Sequence, residues 1–394
     1  MSDNNAPTSQ TRNSLGFAKS PSETRVVVAM SGGVDSSVVA AMLHDEGYEV
    51  IGITMQLYDH GVAIDVKGAC CAGADIHDAR MVAARLNIPH YVLDYESLFK
   101  NQVMEEFADS YLKGHTPIPC VRCNQTVKFK DLLKMAQDLN ADCLATGHYV
   151  RRVEEGGQLQ LKKGVDEGKD QSYFLFATTP EQLAYVRFPL GGMTKDVTRE
   201  LARKYDLVVS DKPDSQDICF VPNGRYGDVV RRLRPGAVDE GEIVHLDGTV
   251  LGHHKGVIDY TIGQRRGLGI GGRKDAPEDE GPLYVVAIDA SAHRVIVGPK
   301  EALAVEDVYL SDCNWLVDTD DFGQSVMIRL RNTGHPVSGT LVGQQDGLIH
   351  LRLDTPQYGV ACGQAGVLYD ATDTSLVYGG GWITHAPTMA ETSA

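Results

Sequence analysis

The stretch Met30–Ser37, with the sequence Met-Ser-Gly-Gly-Val-Asp-Ser-Ser, decides the fold. It follows the apolar run 26–29 and precedes the helical run 38–44, an order that indicates a strand, a glycine turn and a helix. Two adjacent glycines let backbone N–H groups approach an anion, two serines add hydroxyl donors, and a helix N-terminus adds partial positive charge. We therefore predict that a phosphate chain binds at this turn.

The turn lacks the lysine of a Walker loop. In that loop a lysine stands beside the second glycine and reaches the terminal phosphates. Here Val34 and Asp35 follow Gly33, and no lysine comes after them, so transfer of the terminal phosphate is not expected. A glycine turn without a ligand is the alternative, but the length of the motif and its place between strand and helix favour a nucleotide site.

Residues 31–37, Ser-Gly-Gly-Val-Asp-Ser-Ser, resemble the PP-loop of the ATP pyrophosphatases. The resemblance implies that ATP, with Mg²⁺, is cleaved between its α and β phosphates and that AMP passes to an oxygen of the substrate. It also implies a catalytic role for Asp35. The residues that it assigns to ATP binding are Ala29, Met30, Ser31, Gly32, Gly33, Val34, Asp35, Ser36 and Ser37.

Strand and helix patterns alternate between residues 25 and 146, which predicts an α/β fold with a doubly wound parallel sheet and a ligand at the carboxyl ends of its strands. Beyond residue 222, short Val/Ile runs separated by glycine turns indicate hairpins. A chain of 394 residues is too long for one typical core. The parts that we predict are a disordered N-terminal extension over 1–24, a PP-loop catalytic domain over 25–222, a small β-rich domain over 223–300, a β-barrel over 301–385 and a frayed tail over 386–394.

The formal net charge of −16 argues against a nucleic-acid partner, but binding of a polyanion depends on where basic residues cluster. Eight cysteines are too few for a secreted disulfide scaffold, and no signal-like segment opens the chain, so a cytoplasmic location is expected. No apolar run is long enough to span a membrane. Basic clusters that are candidates for phosphate contacts stand at Arg225, Arg231, Arg232 and Arg234, at Arg265 and Arg266, and at Arg329 and Arg331.

Two cysteine motifs stand far apart in the chain. Thr116–Asn124, Thr-Pro-Ile-Pro-Cys-Val-Arg-Cys-Asn, leads into a predicted helix whose N-cap is Asn124. This would put Cys123 at a helix N-terminus, where the thiolate is favoured. Cys219 lies in Asp214–Phe220, Asp-Ser-Gln-Asp-Ile-Cys-Phe, just before the predicted domain boundary. In a reducing compartment, close cysteine pairs indicate redox catalysis or metal binding.

These stretches and further motifs make the sequence similar to the tRNA-specific 2-thiouridylase family over residues 25–385. The resemblance implies that ATP adenylates the C2 oxygen of the wobble uridine of tRNA and that a protein-borne sulfur displaces AMP. The C2 carbonyl is a poor electrophile, and adenylation turns its oxygen into a leaving group for a sulfur nucleophile. The further motifs are Ala145–Tyr149 (Ala-Thr-Gly-His-Tyr), Lys169–Tyr173 (Lys-Asp-Gln-Ser-Tyr) and Tyr260–Gly269 (Tyr-Thr-Ile-Gly-Gln-Arg-Arg-Gly-Leu-Gly).

The resemblance assigns a role to each of two cysteines. Cys123 matches the nucleophile that precedes Asn in the family, and Cys219 matches the cysteine that carries persulfide sulfur from a donor protein. Attack by Cys123 on that persulfide, or on its product, leaves a Cys123–Cys219 disulfide, so a reductant must reset the enzyme. The implied partners are therefore tRNA, a persulfide sulfur-relay donor protein and a reductant.

The resemblance also extends the binding residues. Met55 and Gly147 match ATP contacts, although a methionine at a strand end is otherwise a core filler and the glycine an ordinary turn residue. At Leu330 many members of the family carry tyrosine. The residues that match tRNA contacts are His148, Lys169, Asp170, Gln171, Arg329, Leu330 and Gln364.

The sequence departs from the family at Cys120, which matches the Asp of an Asn-Pro-Asp motif found in many members. Cys120, Cys123 and Cys219 could together hold a [4Fe–4S] cluster with one iron open to sulfide, as an alternative to the persulfide route.

Two other classes of protein stay open. A PP-loop ligase that forms an amide or joins a nucleotide would leave the cysteines without purpose, and the other class is a non-catalytic iron–sulfur or RNA-binding regulator. Adjacent Cys70 and Cys71 are expected to pack in a loop.

Overall fold

The computed structural model describes residues 12–58, 71–214, 218–221, 224–270, 281–318 and 323–388, without the side chains of Cys71, Ala72 and Gln345. The expectations for residues 1–11, for Cys70 and for the tail beyond residue 388 lie outside the described residues. Within the described residues the chain forms a parallel sheet with helices, a small mixed sheet and a closed barrel, in this order.

Residues 12–24 differ from the predicted disordered extension. Leu15 is buried against the first domain, and the Arg187 guanidinium lies 4.7 Å from the centroid of the Phe17 ring. The Ser14 hydroxyl also bonds to the Tyr48 hydroxyl at 2.7 Å. Two apolar side chains are too few to form a hydrophobic period in the sequence, yet they are enough to anchor this short segment.

A parallel sheet forms the centre of the amino-terminal domain. Its strands, with a separate β5–β6 hairpin, are β1 Arg25–Ala29, β2 Glu49–Gln56, β3 His90–Asp94, β4 Cys143–Ala145, β5 Val150–Glu155, β6 Gln158–Lys163 and β7 Val186–Arg187. The order in the sheet is β3-β2-β1-β4-β7, and every neighbouring pair is parallel. Val27 of β1 packs with Phe129, whereas Val26 and Val28 pack with Val38 on the other face. The predicted doubly wound fold is therefore confirmed.

Helices follow most of these strands. They are α1 Val34–Asp45, α2 Cys71–Leu86, α3 Glu96–Phe99, α4 Glu105–Leu112, α5 Pro119–Arg122, α6 Phe129–Asp138, α7 Ser172–Leu175, α8 Pro180–Tyr185, α9 Lys195–Lys204 and α10 Tyr226–Leu233. π-helical turns over Lys100–Met104 and Cys123–Lys128 join α3 to α4 and α5 to α6. Short 3₁₀ turns cover Pro21–Glu23, Val257–Asp259 and Lys300–Leu303.

The helix around the first cysteine motif begins earlier than predicted. Pro119 stands in its first turn, where proline is tolerated because the missing N–H would have no helical partner. The helix then continues through the π-turn, in which the Phe129 N–H donates to the Asn124 carbonyl. Asn124 is therefore not the N-cap, and the prediction of a helix start there is wrong.

The central domain is a four-stranded sheet in the order β10-β11-β8-β9, built from β8 Gly241–His245, β9 Val250–His254, β10 Tyr284–Asp289 and β11 Arg294–Gly298. Gly248, with φ +89°, allows the tight turn between β8 and β9, which pair antiparallel. The predicted hairpin around Asp247-Gly248 is confirmed.

The last domain is a closed barrel in the order β12-β15-β14-β13-β16-β17. Its strands are β12 Ala304–Trp315, β13 Gln324–Arg329, β14 Val337–Gln345, β15 Leu348–Tyr358, β16 Ala365–Asp370 and β17 Val377–His385. The barrel docks on the first domain through Trp382, whose ring lies 5.9 Å from the Phe176 ring and 4.6 Å from the Arg122 guanidinium. Arg122 belongs to α5, so the barrel contacts the helix that carries the first cysteine pair.

Candidate active site

The turn between β1 and α1 has the geometry that a phosphate chain requires. Gly32 has φ +76°, a left-handed conformation that favours glycine. Gly33 is the N-cap of α1, so the first N–H groups of that helix have no helical acceptors. The Ser31 N–H donates to Ser36 Oγ (3.1 Å), and Ser37 Oγ donates to the Gly33 carbonyl (2.8 Å). Both hydroxyls therefore shape the turn itself.

Replacing Gly32 by alanine should destabilise the protein much more than replacing Gly33. A Cβ at Gly32 would overlap the Asp75 carbonyl, and the left-handed backbone alone costs an alanine about 1–2 kcal/mol. Gly33 has extended backbone, and a Cβ there would lie 3.4 Å from Ser31 Oγ, an ordinary contact. Denaturant unfolding of the two variants measures the difference. Equal stability of Gly32→Ala and Gly33→Ala would contradict this reading of the turn.

Asp35, in the first turn of α1, is held by an ammonium group. Lys195 Nζ lies 2.7 and 2.9 Å from the two carboxylate oxygens of Asp35, and the Tyr149 hydroxyl donates to the same carboxylate at 2.8 Å. Lys195 is 8% exposed, and its Nζ also lies 2.9 Å from the carboxylate of Asp214. Lys195 therefore joins the glycine turn to the beginning of the motif that contains Cys219.

The carboxylate of Asp214 forms ion pairs with several cationic side chains. Lys169 Nζ lies 2.7 Å and an Arg199 nitrogen 2.8 Å from its carboxylate, in addition to Lys195. Burial opposes the negative charge of Asp214, but the hydrogen bonds from Lys169 and Lys195 outweigh it and lower the pKa of this carboxyl to about 2. In the sequence Asp214 stands out only as part of a motif, and no local pattern marks Lys195 or Arg199.

The Asp214→Asn variant should unfold more easily than the wild-type protein at neutral pH, but the difference should vanish in acid. A folded-state pKa below the unfolded value stabilises the protein at pH values above the unfolded pKa, and this is lost as the pH falls towards the folded pKa. A pKa lowered from 3.8 to about 2 corresponds to about 2 kcal/mol at pH 7. Denaturant unfolding measured from pH 7 downwards checks this. A constant difference between about pH 4 and about pH 2 would contradict it.

Gly147 and His148, consecutive residues after β4, link the glycine turn to the cysteines. A Cβ on Gly147 would lie 2.9 Å from the backbone nitrogen of Ser36, so this loop packs directly against the first turn of α1. His148 Nδ1 lies 2.9 Å from Thr146 Oγ1. Burial and the charge of Lys128 lower the pKa of His148 to about 3, so the imidazole is neutral at pH 7.

Cys120, Cys123 and Cys219 converge on Lys128. Burial lowers the pKa of the Lys128 ammonium, but the negative charge that Cys123, Cys219 and Cys120 carry when they ionise outweighs it and raises that pKa. Cys123 is buried. Cys219 is exposed as a whole residue, but its sulfur is surrounded by protein atoms and is hydrogen-bonded to Tyr58. Burial and the two neighbouring thiolates raise the pKa of Cys219 to about 12. The cysteines of the two motifs thus lie near one another and near Lys128, to which no sequence pattern assigns a role.

The expected ionisation of Cys123 is wrong. Because the helix begins at Pro119, Cys123 lies inside it and lacks the N-terminal position that favours a thiolate. Burial raises the pKa of the Cys123 thiol, and Lys128 offsets this only in part. Asn124, which was expected to cap the helix, instead donates its side-chain amide to the Phe174 carbonyl at 3.3 Å. No disulfide links Cys123 to Cys219, and both are free thiols.

Several residues assigned to tRNA contacts lie where the first domain meets the barrel. An Arg329 nitrogen lies 3.3 Å from the carboxylate of Asp170, and Gln364 donates to the Thr116 carbonyl at 2.8 Å. Both contacts join the two domains. Leu330 follows β13 and is buried in the core of the barrel.

The remaining assigned residues lie within the first domain. Lys169 pairs with Asp214 as described, and Gln171 Oε1 accepts the Tyr149 N–H at 2.9 Å. Met55, near the end of β2, is half-buried and packs against two hydrophobic clusters, one of which contains Cys123. Met55 therefore lies at the same end of the sheet as the glycine turn, next to the cluster around the cysteines.

Among the described residues, no group of three or more His, Cys, Asp or Glu side chains is disposed to hold a metal ion. The described part of the chain also contains no helix with the length and apolar character needed to cross a membrane. The assignment of Cys120, Cys123 and Cys219 to an iron–sulfur cluster therefore stays a prediction from the sequence.

Family models match successive parts of the chain. The tRNA methyl transferase HUP domain matches residues 24–223, the tRNA methyl transferase PRC-barrel domain residues 229–299, and the aminomethyltransferase beta-barrel domain residues 305–383. Together with the strand, glycine turn and helix around Asp35, these matches define a tRNA-modifying enzyme of the PP-loop class.

Curated relatives identify the family within this class of enzymes. The tRNA-specific 2-thiouridylase MnmA of Rhodospirillum centenum is 59% identical over 384 residues, which cover 96% of this chain and 97% of the relative. The protein of the same name from Hyphomonas neptunium is 61% identical over 376 residues, which cover 94% of this chain and 93% of the relative. The chain belongs to the tRNA-specific 2-thiouridylase family, a family of tRNA sulfurtransferases.

Solved structures resemble the chain more weakly. An NMN synthetase from Francisella tularensis aligns with a TM-score of 0.32 and 20% identity, covering 54% of this chain and 77% of that one. A 4-thiouridine synthetase in complex with RNA and bound ATP aligns with a TM-score of 0.34 and 15% identity, covering 54% of this chain and 51% of that one. These similarities are too low to inform the site.

Proposed function

We propose that this protein is an ATP-dependent tRNA uridine 2-sulfurtransferase that converts the wobble uridine to 2-thiouridine. One structural observation supports the proposal in addition to family membership. Gly147 packs against the glycine turn, while the next residue, His148, lies within the electrostatic reach of Lys128, on which the three thiols converge. A nucleotide in the turn and a sulfur carried on a cysteine would therefore act on the oxygen and the carbon of one substrate carbonyl group.

The first half-reaction is adenylation. The C2 oxygen of uridine attacks the α-phosphorus of ATP, the bond between the α-phosphorus and the bridging oxygen breaks, and pyrophosphate leaves. The residues that would hold ATP are those of the turn, together with Met55 and Gly147. Mg²⁺ would neutralise phosphate charge, and the oxygen atoms around the turn, including the Asp35 carboxylate, fit the ligands that it prefers.

The second half-reaction moves sulfur. Cys219 carries a persulfide delivered by a donor protein, and its terminal sulfur replaces AMP at C2. Attack by Cys123, either on the persulfide or on the product joined to Cys219, frees the sulfur and leaves a Cys123–Cys219 disulfide, which a dithiol reductant reduces. Because burial raises the pKa of Cys123, its deprotonation must accompany this attack.

The tRNA would lie along the junction of the domains. His148, as a neutral imidazole, suits a hydrogen bond to a base rather than a phosphate contact. Five of the residues assigned to tRNA have partners within the protein: Lys169, Asp170, Gln171, Arg329 and Gln364. RNA would therefore replace these partners when it binds. The side chain of Leu330 is buried, so this residue would offer RNA only its backbone. Of the basic clusters, Arg231 already pairs with Asp259 and Arg234 with Asp109.

The deciding experiment measures pyrophosphate release with unmodified tRNA, with the same tRNA already thiolated, and without RNA. We expect release only with unmodified tRNA, and 2-thiouridine in the nucleosides when a persulfide donor and a reductant are present. Release that depends on a small metabolite would favour a PP-loop ligase, and no release at all would favour a regulator. Either result would overturn the proposal.

Thiolation of tRNA, measured beside the iron and acid-labile sulfide content of the protein, distinguishes the two sulfur routes. Thiolation by protein free of iron and acid-labile sulfide supports the persulfide route. Activity that appears only after anaerobic purification, in proportion to bound iron and sulfide, supports a [4Fe–4S] cluster held by Cys120, Cys123 and Cys219. A cytoplasmic location also stays a prediction, to be checked by fractionating cells.

A further inference from the structure

The glycine turn has no lysine of its own, but the fold brings one to it from far along the chain. Lys212 Nζ donates to the carbonyl oxygen of Gly32 at 3.0 Å, across 180 residues of sequence. Gly32 is the first glycine of the phosphate-binding turn. An ammonium group therefore lies beside the turn, although the sequence around the turn does not supply it.

Two carboxylates hold Lys212 beside the turn. Its Nζ lies 2.7 Å from Asp75 and 2.5 Å from Asp78, both in the amino-terminal half of α2. Burial opposes the charge on Lys212, but hydrogen bonds to the two aspartates outweigh it and raise its pKa. The side chain of Lys212 is 28% exposed, so the ammonium is charged and still within reach of a ligand in the turn.

We propose that Lys212 binds the β- and γ-phosphates of ATP and stabilises the pyrophosphate leaving group, an inference that rests on the proposed function. When the nucleotide occupies the turn, the Lys212 ammonium exchanges Asp75 and Asp78 for phosphate oxygens. As the bond between the α-phosphorus and the bridging oxygen breaks, the electron pair leaves with pyrophosphate, which gains one negative charge. Lys212 offsets that charge and keeps its proton.

This role separates Lys212 from Lys195. Lys195 is buried between Asp35 and Asp214 and is fixed by both. Lys212 is more exposed and bonds to a carbonyl of the turn itself, so its ammonium can follow the phosphates. A structural ion pair that only ties α2 to the chain after α9 is the competing explanation, and the experiment must tell the two apart.

The probes are α,β-methylene-ATP, which is not cleaved between its α and β phosphates, inorganic pyrophosphate and AMP, each titrated with Mg²⁺ by calorimetry. For Lys212→Met we expect roughly 10- to 100-fold weaker binding of the first two, the usual effect of losing a charged hydrogen bond. Binding of AMP should be unchanged, because AMP lacks the β- and γ-phosphates. Lys212→Arg should restore most of the affinity, since it keeps the cation.

Arg85→Met is the matched control. Arg85 also pairs α2 with the chain after α9, through Asp206 at 2.5 Å, but it is exposed and makes no described contact with the turn. We expect it to bind all three probes like the wild-type protein. Asp78→Asn should bind pyrophosphate at least as well as the wild type, because Lys212 is then held less tightly.

The outcomes are distinct. Equal loss of ATP analogue and AMP binding in Lys212→Met, or unchanged binding of pyrophosphate, would overturn the role of Lys212 while leaving the proposed function in place. A wild-type protein that binds neither the analogue nor pyrophosphate would overturn the proposed function as well. A selective loss of analogue and pyrophosphate binding, together with a larger loss in the rate of pyrophosphate release, would support both.

Discussion

Replacing Cys219 by serine will abolish formation of 2-thiouridine while AMP transfer to tRNA continues. In the proposed reaction the sulfur atom travels on Cys219, whereas the glycine turn activates the uridine without it. Loss of the group that carries the nucleophile leaves only background reaction, so thiolation should fall on the order of 10³-fold or more. Transfer of radiolabelled sulfur from a persulfide donor to tRNA, measured beside pyrophosphate release, tests this.

Cys123→Ser will also fail to turn over, but it will stop at a later step. If Cys123 attacks the product, the variant will accumulate tRNA joined to Cys219 through a disulfide, and an added small thiol will release 2-thiouridine. If Cys123 attacks the persulfide itself, sulfur will remain on Cys219 and no tRNA adduct will form. Denaturing gels run with and without thiol distinguish these results, and each keeps Cys123 in the sulfur pathway.

Cys313→Ser and Cys362→Ser provide the controls. Both residues are free thiols of the barrel region, half-buried and outside the group that acts on Lys128. We expect both variants to thiolate tRNA at the wild-type rate. Full 2-thiouridine formation by either Cys123→Ser or Cys219→Ser would remove that cysteine from its proposed role.

The sheet and the glycine turn could be predicted because their signals are local. Three consecutive valines in β1 indicate a strand buried on both faces, and the glycine pair that follows them permits the left-handed conformation observed at Gly32. Alternation of strands and helices then restricts the topology to a doubly wound sheet. Each of these inferences needs only neighbouring residues.

The charged groups around the turn could not be predicted, because they come from distant parts of the chain. Lys195 reaches Asp35 across 160 residues, and Lys212 reaches Gly32 across 180 residues. Neither lysine belongs to a periodic or turn-forming pattern. The surroundings of Cys123 were missed for another reason: Asn124 resembled an N-cap, whereas Pro119 is in fact the first residue of the helix.

The residues assigned to tRNA illustrate a third limit. A resemblance can match Asp170 and Arg329 to RNA contacts, but it cannot say what they contact when RNA is absent. In the structure they pair with each other across the domain junction, at 3.3 Å. Asp170 belongs to the domain that carries the thiols, so RNA that binds Arg329 in its place would also loosen the contact between the barrel and that domain.

Asp35→Ala will abolish pyrophosphate release in the presence of unmodified tRNA, and the protein will still fold. The carboxylate of Asp35 lies in the first turn of α1 and fixes Lys195, so its loss changes the charges beside the turn that we propose to hold ATP. Removing one preorganised group at a reacting centre costs about 10²- to 10³-fold in rate. Lys195 keeps Asp214 as a partner at 2.9 Å, so the buried ammonium is not left unpaired.

Two further variants separate charge from structure. Asp35→Asn retains a side-chain oxygen for the Tyr149 hydroxyl but not the charge, and we expect it to be nearly as inactive as Asp35→Ala. Asp45→Ala removes an exposed carboxylate from the other end of the same helix, where Tyr205 is its partner, and should release pyrophosphate normally. Thermal unfolding checks that all three variants fold. Normal AMP formation by folded Asp35→Ala would exclude this carboxylate from the chemistry, because the helix would then need only its N–H groups to hold the phosphates.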